Sequence, residues 1–377
     1  MSTGIGAEGS TPGLGPGGFG FDSRIPDCVR KSNMLRRSFL GSLALPFLSK
    51  LASGEDIRVI EAGWINNHLA TRRYIQKCKL PFLSQQNDQI KNSGSGKVVM
   101  LHPFLEKAQA YPIRARKQGI GDCVGQAFAN GVDILTGVQI HLHNKPEKFI
   151  APASAEIIYG GGRIEIAKNQ DKLRIPGSGS TGSWAADWVT KYGPLLQQKY
   201  EVNGKVYDLT NYDSQVSKEF GSTGVPDELE PLAQEHPVKT AALVTTWQEL
   251  IDSIANGYPV VICSALGFGP TDASWVRDKD GYLRRSRMDW NHAMLIFGYD
   301  DASRRKGACF LNSWGDVHSG PTLHDNPPTC SFWVDKNIVE EGLKNLWRRQ
   351  SNPDSYALSN YVGYPYQADK IPDYTFW

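Results

Sequence analysis

The chain has 377 residues and little cysteine, and none of its cysteines stands close to another. No CxxC pair occurs, so the sequence does not predict a zinc ribbon or a thioredoxin-type redox site. Six cysteines in a chain of this length do not predict a dense disulfide framework either. The cysteines are Cys28, Cys78, Cys123, Cys263, Cys309 and Cys330. Cys309 and Cys330 both border strand-like runs, so a disulfide between these two stays open at this point.

The chain also lacks an excess of charge of either sign. It has 41 Lys and Arg against 39 Asp and Glu, a formal net charge of +2, which gives no indication of nucleic acid or an anionic membrane surface as a partner. It lacks an apolar run long enough for a stable membrane span. What it has is 40% hydrophobic residues, with 10 Trp, 15 Tyr and 14 Phe, enough to bury a core in one large domain or two.

The first 54 residues predict two segments outside the folded core. Residues 1–33 are rich in glycine and poor in apolar residues, so we expect them to be disordered, or to precede a true start at Met34. Residues 34–54 contain Arg36-Arg37, a short apolar stretch and then small residues, the layout of a bacterial twin-arginine export signal. An amphipathic surface helix is the alternative. We expect a periplasmic or extracellular location if this signal functions, and a cytoplasmic one otherwise.

Three residues with chemically useful side chains each border an apolar run. Cys123 begins a run whose apolar residues have close to helical spacing, and Asp122 before it is suited to cap a helix. In the first turn of a helix, unpaired backbone N–H groups and the helix dipole favour a thiolate. His292 precedes an apolar run at 293–299 that predicts a buried strand. Asn312 follows a second apolar run.

A thiol, an imidazole and an amide in this chain order are the parts of a cysteine nucleophile, its base and the group that orients the base. Each residue alone has an ordinary interpretation, as a buried inert cysteine, a core histidine or a turn asparagine. The residues that flank them favour the catalytic interpretation. Gln118-Gly119 precedes Cys123, and Asn-Ser-Trp-Gly at 312–315 begins twenty residues after His292. Together these motifs resemble the papain-like cysteine peptidase family, in a bacterial-looking member, over roughly residues 98–335.

The resemblance implies a role for each motif residue. Cys123 would be the nucleophile, His292 the base and acid, and Asn312 the group that holds the imidazole. The side-chain amide of Gln118 and the backbone N–H of Cys123 would form the oxyanion hole, and Trp314 would shield the His–Asn hydrogen bond from water. Gln126 is a competing candidate for the oxyanion hole, but it follows the cysteine on the helix.

Two further positions complete the comparison with the family. Gly182 and Ser183, at the start of a predicted helix, would bond the substrate backbone as an added strand does, with a plain loop and helix cap as the alternative. The sequence departs from the family pattern at two places. Gln118 stands five residues before Cys123 instead of six, and Val124 occupies a position that is usually aromatic.

The fold implied is α+β with two lobes. A helical lobe begins with the Cys123 helix, a β-rich, barrel-like lobe carries His292 and Asn312, and the active site lies in the cleft between them. A helix is predicted over 246–255 and a strand over 260–264. We expect a catalytic domain at 98–350, a C-terminal extension at 351–377, and at 55–97 a linker or an inhibitory pro-segment of the kind the family often carries.

The function implied is hydrolysis of peptide bonds through a thioester on Cys123, with a peptide or protein as substrate and no metal or organic cofactor. The departures at Gln118 and Val124 motivate one alternative, a catalytically inactive binding protein with the same fold. A transpeptidase or an amidase would use the same residues and is the other alternative. A metal site at His318 and His324 is considered and not predicted, because their spacing fits no common pattern. The sequence does not indicate an oligomeric state.

Overall fold

The computed structural model describes residues 63–86, 90–142, 148–175, 177–268, 275–286, 289–324, 326–347 and 350–361. The predicted segments 1–33 and 34–54, the first residues of the 55–97 segment and residues 362–377 lie outside this part of the chain. Export by the twin-arginine route therefore stays a prediction. Within the described residues, no helix is long and apolar enough to cross a membrane.

Helices dominate the region between the predicted cysteine and the strand of the main sheet that begins at Val238. The longest helix, α3, begins at the predicted nucleophile and is apolar over most of its length. A π-helix follows α4 directly at Gly162–Gln170, and a short 3-10 helix occupies Leu83–Gln85. The α-helices are α1 (His68–Lys77), α2 (His102–Gln109), α3 (Cys123–Leu142), α4 (Ala155–Gly161), α5 (Gly182–Lys191), α6 (Ser214–Thr223), α7 (Glu230–Ala233), α8 (Trp247–Ala255) and α9 (Lys336–Lys344).

Most strands form one antiparallel sheet of seven strands in the order β4-β11-β5-β6-β7-β8, with β1 also paired to β6. The described strands do not close on themselves, so the predicted barrel-like lobe is an open sheet. Two small hairpins, β2–β3 and β9–β10, lie outside it. The strands are β1 (Val98–Met100), β2 (Lys199–Val202), β3 (Lys205–Asp208), β4 (Val238–Leu243), β5 (Val260–Ser264), β6 (His292–Asp300), β7 (Gly307–Leu311), β8 (Ser331–Asp335), β9 (Leu346–Trp347), β10 (Gln350–Ser351) and β11 (Tyr356–Tyr361).

Helices cover both faces of the sheet. Gly131 of α3 comes close to Val261, whereas Gly342 of α9 comes close to Ile262. Successive side chains of a strand point to opposite faces, so α3 and α9 pack on opposite sides of β5. This explains why β5, β6 and β7 are mostly apolar and are buried at every residue.

The predicted helix and strand near residue 250 are confirmed. Thr246 caps α8 by accepting the N–H of Glu249, while Glu249 reaches back to the N–H of Thr246, so both orphan donors are satisfied. Gly257 takes a φ of 81° directly after the helix, a conformation that favours glycine, and β5 follows. At α3 the structure differs from the expectation, because the Asp122 carboxylate bonds Ser217 and Gln126 instead of capping the helix.

The structure resolves two points that the sequence left open. Cys309 and Cys330 are buried free thiols, so the disulfide considered between them is absent. The sheet also continues beyond residue 350, since β11 pairs with both β4 and β5. Residues 356–361 of the segment expected as a C-terminal extension therefore form a strand of the main sheet. At the other end, Ala70 and Tyr74 of α1 are buried in the same core, so this stretch of residues 55–97 is not a detached linker.

Candidate active site

Cys123 is the first residue of α3 and is fully buried. Burial raises the pKa of its thiol to about 12, and the nearby carboxylate of Asp122 acts in the same direction. Backbone N–H groups of Ala293 and Gly63 hydrogen-bond the sulfur and act in the opposite direction. Because burial dominates, the group in this state is a neutral thiol. The contact with Ala293 places the sulfur beside the residue that follows His292.

His292 is the first residue of β6 and is also fully buried. Its Nε2 lies 2.9 Å from Oδ1 of Asn312. Burial lowers the pKa of the imidazole to about 4, and the hydrogen bond with Asn312 opposes this shift. The ring is therefore neutral in this state. Its other nitrogen, Nδ1, is buried and has no hydrogen-bond partner in the described part of the chain.

Asn312 directly follows β7, where its side chain is held from three directions. Oδ1 accepts the backbone N–H of Ser313 at 2.8 Å in addition to the bond with His292. Nδ2 lies 3.1 Å from Nε2 of His318. The ring of Trp314 stacks at a tilt over His292, with 4.4 Å between the ring centroids. The structure thus brings the imidazole of His292 and the amide of Asn312 together beneath the ring of Trp314.

Gln118 is tied to the same loop in spite of its shortened spacing. Its backbone N–H donates to the carbonyl of Ser313 at 2.9 Å, and its side-chain oxygen accepts the Ser313 hydroxyl at 2.8 Å. Its amide nitrogen donates to the carbonyl of Ile120 at 3.0 Å, in the turn that leads into Cys123. The competing residue Gln126 instead donates to the Asp122 carboxylate at 3.3 Å.

The predicted substrate-binding pair has an internal partner. The N–H groups of Gly182 and Ser183 donate to the carboxylate of Asp354 at 2.8 and 2.9 Å, where α5 begins. A carboxylate at a helix N-terminus is a favourable arrangement. The strand-like contact is instead made by Ser180, two residues earlier, which forms a bridge with Trp64. The sequence around Asp354 gave no signal for its role, because its partners are distant in the chain.

Residues 63–65 lie across the predicted site. The N–H of Trp64 donates to the carbonyl of Asn291 at 2.9 Å, and the N–H of Ile65 donates to the carbonyl of Ser180 at 2.8 Å. The N–H of Ser180 donates in turn to the carbonyl of Gly63 at 2.7 Å, which makes a parallel bridge. The indole N–H of Trp64 donates to Asp354 at 2.8 Å. This short segment therefore joins the residue before His292 to the loop before α5.

Arg163, in the first turn of the π-helix, supports that loop. Its guanidinium is buried and donates to the carbonyls of Gly221 at 2.9 Å and Gly177 at 2.8 Å, and also to that of Gly179. It lies over the ring of Tyr159, 5.2 Å from the centroid. Burial lowers the pKa of this guanidinium, with the phenol of Tyr159 opposing the shift. A buried cation held by loop carbonyls fixes the course of the chain into Ser180.

The two histidines considered for a metal have other partners. His318 bonds Asn312, and Nε2 of His324 lies 2.9 Å from the carboxylate of Asp300. Over the residues that the structure describes, no cluster of three or more His, Cys, Asp or Glu side chains has a metal-binding arrangement.

Part of the chain is similar to a family of known proteins. Residues 139–319 match the Peptidase_C39 like family, a span that includes His292 and Asn312 but not Cys123. A comparison with curated protein sequences gives no match. Among solved structures, xylellain, a cysteine protease from Xylella fastidiosa, is 19% identical, with 73% of this chain and 89% of that chain covered and a TM-score of 0.46.

Two other solved structures are similar to the chain. A procathepsin B from Trypanosoma congolense is 10% identical, with 82% of this chain and 87% of that chain covered and a TM-score of 0.45. The Amb a 11 cysteine protease of ragweed pollen, in its proform, is 16% identical, with 79% and 75% covered and a TM-score of 0.42. Residues 139–319 therefore resemble a peptidase family, and the described residues have an α+β architecture of helices and an open antiparallel sheet.

Proposed function

We propose that the chain hydrolyses peptide bonds with Cys123 as nucleophile, His292 as base and acid, and Asn312 as the group that orients the imidazole. The observation that carries this proposal is the bond between His292 Nε2 and Asn312 Oδ1. It leaves Nδ1 of the same ring as the nitrogen available to the sulfur, next to the Ala293 N–H that hydrogen-bonds the thiol. A fixed imidazole beside a thiol is the arrangement that activates a cysteine.

In the first step, His292 takes the proton of the Cys123 thiol, and the sulfur attacks the substrate carbonyl carbon. The C–N bond breaks, the amine leaves with the proton held by His292, and a thioester remains on Cys123. In the second step, water gives a proton to His292 and attacks the thioester, releasing the carboxylic acid and restoring the thiol. The backbone N–H of Cys123 and the Gln118 amide stabilise the oxyanion, and removing one such donor typically costs about 100- to 1000-fold in turnover.

The segment at 55–97 is proposed as an inhibitory pro-segment. Support comes from Gly63, which contacts the sulfur, and from Trp64, whose backbone bonds the residue before His292. With the segment in place, Cys123 and His292 are fully buried. Its release would expose both groups to water, which lowers the thiol pKa and raises the imidazole pKa, so that an ion pair becomes favourable. The segment at 34–54 is proposed as the export signal, on its sequence alone.

Two alternatives remain. An inactive binding protein would follow if the shortened spacing of Gln118 removed the oxyanion donor. A transpeptidase or amidase would use the same residues with an amine in place of water, or with a non-peptide amide as substrate. These are distinguished by their products from a defined peptide library.

The test is hydrolysis of a peptide library by the full chain and by a chain from which residues 55–97 have been removed after folding. We expect the second to cleave and Cys123→Ala to abolish cleavage with an unchanged melting temperature. Selective labelling of Cys123 by an epoxide probe accompanies the activity. Full cleavage by Cys123→Ala would end the proposal, and an inert cysteine in the released form would favour the binding protein.

A further inference from the structure

We propose that His318 is a positioning residue of this site, because its Nε2 accepts a hydrogen bond from the Asn312 amide and so, together with the Ser313 N–H, holds the amide oxygen against a protonated Nε2 of His292. The positioning role rests on the proposed cysteine–histidine mechanism. The tautomer of His292, however, is a property of the protein that can be measured without turnover.

The orientation of the Asn312 amide follows from the backbone N–H of Ser313, which can only donate a hydrogen bond. The backbone N–H of Ser313 lies 2.8 Å from one side-chain atom of Asn312, so that atom must be the oxygen. The other side-chain atom is then the amide nitrogen, which can only donate. It lies 3.1 Å from Nε2 of His318, so this nitrogen of His318 must carry a lone pair. His318 is therefore neutral, with its proton on Nδ1.

The orientation of the Asn312 amide also determines the tautomer of His292. The Asn312 oxygen can only accept, so Nε2 of His292, at 2.9 Å, must carry the proton. Nδ1 of His292 then carries the lone pair, as a base for the sulfur requires. One carboxamide thus determines the tautomers of two histidines. If the amide turned over, its NH2 group would meet two donors at once, the Ser313 N–H and the His292 N–H.

The surroundings of His318 keep it in the neutral form that this role needs. The side chain is only 5% exposed. It makes edge-on contacts with Phe332 at 4.7 Å and Trp275 at 5.8 Å between ring centroids. Burial lowers the pKa of His318 to about 3, and the positive charges of Arg277 and of a protonated His292 act in the same direction.

A histidine at position 318 also lowers the stability of the fold in a way that an apolar side chain would not. Its Nδ1 is buried and has no hydrogen-bond partner in the part of the chain that is described. An unsatisfied buried donor is destabilising, and an apolar side chain of the same size would avoid that cost. The lone pair on Nε2 is what an apolar side chain would not supply.

The experiment compares three variants of the full chain. His318→Leu keeps an apolar side chain but removes the acceptor, whereas His318→Gln places an amide oxygen near the position of Nε2. His324→Gln is the matched control, since His324 bonds Asp300 and not Asn312. The tautomer of His292 is read from long-range 1H–15N correlation spectra of histidine-labelled protein. Turnover of a peptide substrate is measured with the segment 55–97 removed.

We expect wild type, His324→Gln and His318→Gln to show a protonated Nε2 and an unprotonated Nδ1 at His292. His318→Leu should give averaged shifts and about a tenfold lower kcat with KM within twofold, as expected for the loss of one buried hydrogen bond. A single unchanged tautomer in His318→Leu would overturn the inference, as would a His318→Gln variant as impaired as His318→Leu. If the tautomer depends on residue 318 but no variant cleaves peptides, the proposed function fails and the tautomer assignment stands.

Discussion

Replacement of Trp64 by alanine is the sharpest test of how the site is closed. Trp64 is only 4% exposed and donates its indole N–H to the buried carboxylate of Asp354. Loss of a buried tryptophan side chain typically costs about 3–5 kcal/mol, and each 1.4 kcal/mol is roughly a factor of ten in an equilibrium. Because Trp64 lies in the segment over the site, the cost favours local opening of that segment. The open fraction should rise on the order of 100- to 1000-fold.

The assay is alkylation of Cys123 by iodoacetamide, followed by peptide mapping that separates it from the other cysteines. In the closed form Cys123 is fully buried, so labelling requires opening and its rate follows the open fraction. We expect a rate increase of the same order as the open fraction in Trp64→Ala. Trp64→Phe keeps much of the buried ring and should give a smaller increase. Melting temperatures show whether each variant remains folded.

Trp247 offers a matched control. It is 3% exposed, and its indole N–H donates to Asp301 at 2.9 Å, so Trp247→Ala removes a similar burial and a similar bond. It lies near the end of β6 that is opposite His292, roughly 27 Å away at about 3.4 Å per residue. Trp247→Ala should therefore leave labelling of Cys123 unchanged. The reasoning fails if folded Trp64→Ala labels at the wild-type rate, or if both alanine variants accelerate labelling equally.

Three other predictions follow from the site. In the closed form burial raises the Cys123 pKa to about 12 and lowers the His292 pKa to about 4, so both groups are neutral. Labelling proceeds through the open form, whose thiolate–imidazolium pair holds the same number of protons, so the labelling rate should change little between pH 6 and 8; a tenfold rise per pH unit would contradict this. Gln118→Ala should lower kcat about 100- to 1000-fold with little change in KM, measured on a peptide substrate; wild-type turnover would remove Gln118 from the oxyanion hole. Arg163→Met should raise KM about tenfold by releasing the loop before Ser180, with kcat largely unchanged. An unchanged KM would show that the loop keeps its conformation without the hydrogen bonds of Arg163.

The sequence predicted well the features that depend on local pattern. Helical spacing after Cys123 and the apolar run after His292 correspond to α3 and β6. Periodicity reports which face is buried, and the motifs carried enough of the site to expect the imidazole beside Asn312. The open sheet was not predicted, and the pairing of Cys309 with Cys330 was left open, because strand closure and sulfur geometry depend on long-range placement.

The contacts that the sequence did not reveal join residues that are distant in the chain. Asp354 bonds Gly182, 172 residues earlier, and Trp64, 290 residues earlier. No local pattern encodes such a choice of partner. His318 had a weak signal, as a histidine six residues after Asn312 in a loop, which was considered for metal binding and not for a bond to an amide. Its role becomes visible only when the amide orientation is assigned.

The position of β11 has a consequence for how the protein is made. β11 is the last described strand in the chain, yet it lies between β4 and β5, and Asp354 just before it anchors both the start of α5 and Trp64. A nascent chain still lacking this strand has two neighbouring strands with open edges and no carboxylate to fix the loop at Ser180. The described arrangement can therefore form only after β11 has been synthesised, and a product terminated before Asp354 would lack both this strand and the carboxylate that holds Trp64.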